Sequence, residues 1–136
     1  MSFPVHCPID VRFRDCDAMG HVNNAVYLTY LEIARFAYWK AAEIGRLEGD
    51  ISYIIARVEI DFRASAEPGD VIDVAISVRA IGRSSFTMEY EIRDQEGRVL
   101  VTARSVQVAY DYAAKQSVTV PDAIRARISG FEGVAL

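Results

Sequence analysis

The order of periodic segments predicts an α+β fold, with an antiparallel sheet wrapped around one long central helix. Three observations carry this. An alternating apolar segment opens the chain, one long apolar helical segment follows, and four more alternating segments come after it. Hairpin-type turns between the later segments make neighbouring strands antiparallel. A helix that is apolar on most faces needs to be enclosed, and the sheet is the only layer available to do it. One helix cannot cover both faces of that sheet, so the second face must meet solvent or another subunit.

The first strand is read from Phe3, Val5, Cys7, Ile9, Val11 and Phe13, which alternate with mostly polar residues or proline. Residues 15–24 have no clear period and contain Gly20, as a loop would. From residue 25 to about residue 44 the pattern is helical, with Tyr27, Leu28, Leu31, Ala34, Phe36, Tyr38 and Trp39 dense and nearly all-round. Asn23 or Asn24 can cap its start, and Gly45 can end it. In the next strand Val58, Ile60, Phe62 and Ala64 share one face, while Arg57, Glu59, Asp61 and Arg63 share a polar one. After a turn at Pro68-Gly69, Ile72, Val74, Ile76, Val78 and Ala80 alternate up to Gly82. Phe86, Met88, Tyr90 and Ile92 follow, closed by the turn Asp94-Gln95-Glu96-Gly97. Residues 100–110 are strand-like, residues 118–120 suggest a short extended piece, and Pro121 suits the first turn of a short C-terminal helix.

The 136 residues suit a single domain spanning 1–136. With 51% apolar and 25% charged residues, the composition is that of an ordinary globular protein. A formal net charge of -4 argues against a nucleic-acid partner, which would call for a basic patch. Cys7 and Cys16 match no zinc or redox spacing and are read as small residues in or beside a strand. The segment Met1-Ser2-Phe3-Pro4-Val5-His6 lacks the basic start and apolar run of a signal peptide, and no stretch has membrane-spanning length. A cytoplasmic location with reduced thiols and no membrane partner is expected.

Asp17 is the residue with the most chemical potential. It lies just after a strand and a few residues before a helix. A helix start offers unpaired backbone N–H groups and a partial positive charge. Such donors can stabilise the oxyanion formed when a carbonyl is attacked. A carboxylate held nearby can attack that carbonyl or take a proton from water. The same residue types also make plain caps and turns: Asp17, Asn23 and Asn24 are natural turn and cap formers, and His21 could simply be packed or solvated.

The run Val11-Arg12-Phe13-Arg14-Asp15-Cys16-Asp17-Ala18-Met19-Gly20-His21-Val22-Asn23-Asn24-Ala25-Val26-Tyr27-Leu28 resembles the signature of the 4-hydroxybenzoyl-CoA thioesterase-like family of hotdog-fold enzymes. Tyr30-Leu31-Glu32-Ile33-Ala34-Arg35, Val58-Glu59-Ile60-Asp61-Phe62, Pro68-Gly69-Asp70 and Gly82-Arg83-Ser84-Ser85-Phe86 extend the likeness over nearly the whole chain. The resemblance implies a hotdog fold, in which the sheet is the bun and the helix the sausage. It implies a hydrolase that cleaves the thioester of an acyl-CoA or acyl-carrier protein. Asp17 would be nucleophile or general base, and the backbone N–H of Asn24 or its neighbours would polarise the carbonyl. Gly20 would allow close approach of the loop, and His21, Val22, Asn23 and Asn24 would line the pocket. Arg83, Ser84 and Ser85 would lie near the pantetheine or nucleotide part of CoA, although Arg83 also reads as a solvated turn residue. The His-Val-Asn-Asn variant leans towards aliphatic acyl chains. Homodimers joined sheet to sheet are implied, able to pair again as homotetramers, with the active site between subunits. No cofactor is expected, because CoA is part of the substrate.

Asp15 is expected to orient the loop rather than react. A metal site from Asp15, Asp17 and His21 would lack a clear fourth ligand, so no metal is expected. Glu32 and Arg35 are spaced to pair along the helix. Two competing functions use the same residues. A hotdog hydratase or dehydratase would pair His21 with Asp17 on an enoyl thioester, although the Asp-x-Asn-Pro-x-His type of string is absent. A non-catalytic CoA-ester binding protein would need only the fold.

Overall fold

A computed structural model describes residues 2–47 and 52–136. Strand β1 (Val5–Asp10) pairs antiparallel with β3 (Val71–Ile81), from Val5 opposite Ile76 to Asp10 opposite Val71. As an edge strand it can carry Pro8 without losing a needed donor. It is shorter than its alternation suggests, because β3 begins at Val71 and offers nothing further to pair with. Beyond it Val11 is still pinned to residues 69 and 70 by two backbone hydrogen bonds. The chain then turns through a short 3₁₀ segment, Phe13–Asp15, which leaves Phe13 exposed.

Helix α1 (Asn24–Ala41) starts where the sequence suggests, with the Asn23 side chain accepting from the Ala25 N–H at 2.9 Å. It ends earlier than expected. Glu43, not Gly45, takes the left-handed conformation that reverses the chain, with φ 56°. That costs about 1 kcal/mol for a non-glycine residue. The fully buried Ile44, in the next 3₁₀ turn (Ile44–Arg46), anchors the chain there.

Strands β2 (Tyr53–Phe62), β4 (Ser85–Arg93) and β5 (Val99–Asp111) complete the main sheet, in the order β1-β3-β4-β5-β2 and antiparallel throughout. A short β6 (Gln116–Ser117) folds back on the end of β5, and α2 (Asp122–Glu132) follows Pro121. Ile72, Val74, Ile76, Val78, Phe86, Met88, Tyr90 and Ile92 form one buried core with Tyr27, Tyr30, Leu31, Ala34 and Tyr38 of α1. The α1 stripe is therefore enclosed on one side only. Leu28, Ile33 and Phe36 stay exposed in the single chain, as do Ile55, Val58 and Phe62 of β2. The outer face of the sheet is charged, as the alternation at residues 57–63 suggests. Glu89 bridges Arg79 at 3.3 Å and Arg104 at 2.9 Å, and Arg57 pairs with Glu59.

Helix α2 is locked by one carboxylate. Glu132 accepts from the Tyr38 hydroxyl at 2.7 Å, the Ser77 hydroxyl at 2.8 Å and the Val78 N–H at 2.8 Å. Because β1 reaches β3 only as far as Ile76, Glu132 supplies the acceptor that a longer β1 would have given. Replacing Glu132 with alanine strands a buried tyrosine hydroxyl and a strand N–H. Urea denaturation of Glu132→Ala should show a loss of about 3 kcal/mol.

Candidate active site

Residues 15–23 form a small hairpin rather than an irregular loop. At its base the Asn23 N–H donates to the Asp15 carbonyl at 3.0 Å, and Cys16 bridges Val22. Towards the tip the Asp17 N–H donates to the His21 carbonyl at 2.9 Å, and the Gly20 N–H to the Asp17 carbonyl at 3.0 Å. Gly20 sits at φ +78°, where a side chain would be strained, so the tight tip needs glycine. The buried Val22 fixes the returning arm, and its N–H donates to the Ala66 carbonyl at 3.0 Å.

This hairpin holds Asp17 at the mouth of a cleft of about 320 Å³. Asp17, Met19, His21, Val22 and Asn24 line one side, with Tyr27 of α1 and residues 62–65 at the end of β2 opposite. One Asp17 oxygen accepts from the Met19 N–H at 2.9 Å. The other has no partner among the described residues. The turn-forming reading of Asp17 therefore accounts for one oxygen only. The Asn23 side chain takes the Ala25 N–H and its carbonyl takes the Val26 N–H. That leaves the Asn24 N–H without an acceptor among the described residues, at the positive end of α1. A free carboxylate oxygen and a free helix-start N–H in one cleft can activate and stabilise attack on a carbonyl.

Asp15 does orient the loop, through contacts that spacing alone could not reveal. It is only 3% exposed. Its carboxylate accepts from the Arg12 backbone N–H at 3.0 Å, the Arg12 guanidinium at 2.9 Å and the Tyr30 hydroxyl at 2.9 Å. It is turned away from Asp17 and His21, which line the cleft. Burial pushes the Asp15 carboxyl up, but the Arg12 and Tyr30 donors together outweigh it and hold it below the usual range. Burial, then Asp15 and Asp17, push the Cys16 thiol up.

The remaining candidates lie elsewhere. Arg83, Ser84 and Ser85 form the turn between β3 and β4, held by backbone bonds from Ala109 to Ser84 and from Val120 to Arg83. Ser85 aligns through Val108 with Ile54, whereas the Asp17 cleft is at the Phe62 end of β2. At about 3.3 Å per residue that is roughly 26 Å of strand, so one chain does not bring the two groups together. Glu32 and Arg35 do not pair either. Arg35 turns inward, and its guanidinium donates to the Tyr90 hydroxyl at 3.3 Å. Sequence reading missed Tyr27 and residues 62–65 as cleft walls, because they look like core and strand residues until α1 and β2 are brought together.

The curled antiparallel sheet packed on one long helix is the hotdog fold. The chain belongs to the thioesterase-like superfamily, whose model matches residues 11–128. A thioesterase from Thermus thermophilus, solved with coenzyme A and zinc, is 37% identical. The match covers 98% of each chain with a TM-score of 0.87. The long-chain acyl-CoA thioesterase FadM of Escherichia coli is 24% identical over 129 residues, covering 88% of this chain and 93% of FadM. The acyl-CoA thioesterase YbgC of Haemophilus influenzae is 25% identical, covering 88% of this chain and 90% of its own length.

The Asp15 contacts predict a pH signature. A carboxyl whose folded pKa lies below its unfolded value of about 3.9 adds stability that is complete above that value. The contribution is lost as pH falls from there through the folded pKa. Melting temperatures between about pH 2 and pH 6 should fall more steeply with acid for the native protein than for Asp15→Asn, which starts lower and lacks this component.

Proposed function

We propose that this protein hydrolyses the thioester of an acyl-CoA or acyl-carrier protein to a free acid and a thiol. The observation that carries the reading is that Asp17 and Asn24 line one cleft, with one Asp17 oxygen and the Asn24 N–H unpartnered among the described residues. The acyl carbonyl oxygen would take the Asn24 N–H, so that charge developing on it is met by the start of α1. In one route the Asp17 carboxylate attacks the carbonyl carbon and expels the thiolate, and water then cleaves the resulting anhydride. In the other, Asp17 takes a proton from water as that water attacks, and the thiolate leaves with a proton. The named activities of FadM and YbgC support the substrate class, and the His21-Val22-Asn23-Asn24 string leans it towards aliphatic chains.

The working site is proposed to be completed by a second copy. The edge strand β2 is long and leaves Ile55, Val58 and Phe62 exposed, a surface that an isolated chain has reason to cover. Pairing two such edges about a two-fold axis would bring the Ser85 end of one chain to the Asp17 end of the other. Arg83, Ser84 and Ser85 would then contact CoA bound at the partner's Asp17, which accounts for their separation within one chain.

Thiol release measured over acyl-CoAs of graded length tests the chemistry. Asp17→Asn should lower kcat about a thousandfold while acyl-CoA binding persists, and unchanged turnover would exclude Asp17 as the reactive group. Mixing Asp17→Asn subunits with Arg83→Ala subunits should restore activity, since each heterodimer has one intact composite site. No recovery on mixing would place both residues in the service of a single chain.

A further inference from the structure

The concave face of the sheet is apolar apart from one buried polar patch that the proposed chemistry does not use. Ser105 and Gln107 of β5 are fully buried there, beside Tyr90 of β4 and under Arg35 of α1, which is 8% exposed. The Tyr90 hydroxyl and the Gln107 side-chain amide both hydrogen-bond to the Ser105 hydroxyl, and Arg35 donates to Tyr90. Two groups in this chain of contacts are left over. The Gln107 carbonyl oxygen is buried with no partner among the described residues. Arg35 has no carboxylate within ion-pair distance among the described residues. Burying an unsatisfied carbonyl and an unpaired guanidinium is costly, and neither serves packing better than an apolar residue would.

The patch is aligned with the Asp17 cleft. Asn24, Leu28, Glu32 and Phe36 form one stripe of α1, at successive turns of the helix. Phe62, Val58 and Ile55 run in the opposite direction along β2, exposed on the same side of the sheet as Ser105. This seam starts at the Asp17 cleft, to which Phe62 belongs, and ends at a second cleft of about 370 Å³ lined by Glu32, Arg35, Phe36, Tyr53, Ile55 and Tyr112, with the buried Gln107 directly cross-strand from Ile55. Trp39 is stacked on Phe86 at 5.4 Å and packs against Tyr53 of that cleft at 5.3 Å. From Asn24 to Arg35 the helix rises about 16 Å. The span suits a chain leading away from the thioester rather than a ring attached directly to it.

Resting on the thioesterase reading, we infer that Arg35 and Gln107 form a subsite for a hydroxyl group carried on the distal part of the acyl chain. A hydroxyl is the one simple group that answers both leftovers, accepting from the guanidinium and donating to the amide oxygen. If the amide is turned over, its NH₂ becomes the free end and the hydroxyl accepts from it instead. A methyl end would leave both groups unpaired, and a carboxylate would meet the like charge of Glu32, which lines the same cleft.

The test compares ω-hydroxyacyl-CoAs with plain acyl-CoAs over a range of matched chain lengths. At the best length the hydroxylated thioester should show kcat/KM about tenfold or more above its plain counterpart. Gln107→Leu, which keeps the volume and removes the unpaired oxygen, should erase that preference and leave turnover of the plain chain intact. Plain chains turned over as well at every length, or a preference that survives Gln107→Leu, would overturn the subsite. Calorimetry with non-hydrolysable S-alkyl-CoA and S-(ω-hydroxyalkyl)-CoA thioethers reads the same preference without turnover. Equal affinities there would overturn it even in an active enzyme, while selective binding without any thiol release would retain the subsite and reject the hydrolase reading.

Discussion

A single buried carboxylate joins the three parts of the chain that make the cleft. Asp15 is bonded to Arg12, where the chain has just left β1, and to Tyr30, in the second turn of α1. Its carbonyl meanwhile closes the hairpin base through Asn23. A charge this deeply buried would be strongly destabilising if left unpaired. Supplied with donors from both sides, it fixes the spacing between Asp17 on the hairpin and the N–H of Asn24 at the helix start. The chemistry proposed for this pair depends on placement to within about 1 Å, and the Asp15 contacts and the buried Val22 together hold the hairpin.

The enclosing sheet has a second consequence. One helix fills one concave face, so α1 has an inner side that is core and an outer side that is not. Leu28 and Phe36 on that outer side are exposed, as are Ile55, Val58 and Phe62 of the edge strand, and Phe36 and Ile55 line one cleft. An edge strand with unpaired backbone groups and an apolar seam beside it are both relieved by a second copy. The proposed pairing would also reconcile the distance between Asp17 and the Arg83 turn with the roles proposed for both in holding one CoA ester.

Much of this was legible in the sequence, and the failures have physical causes. The alternation at residues 72–80, 86–92 and 100–110 marks strands buried on one face, and each of them forms. Asn23 caps α1 because a short side-chain acceptor before a helical run has little else to do. Phe13 continues the alternation of β1 yet is exposed, since a strand ends where its neighbour ends, and β3 starts at Val71. Gly45 carried the expected stop signal, but burial of Ile44 placed the reversal at Glu43. Arg35 has an acidic neighbour at pairing distance along the helix and instead turns inward to Tyr90, a residue distant in sequence. The Asp17 motif was visible as residue types at a spacing. The walls of its cleft, Tyr27 and residues 62–65, became visible only when α1 and β2 met.

The most direct test of the account is a crystal structure of Asp17→Asn with an uncleaved acyl-CoA bound. The thioester carbonyl oxygen is expected within hydrogen-bonding distance of the Asn24 N–H, the carbonyl carbon facing the side chain at position 17, and the CoA arm passing the Arg83 turn of a second copy. A thioester bound away from the start of α1, with the Asn24 N–H still unengaged, would contradict it.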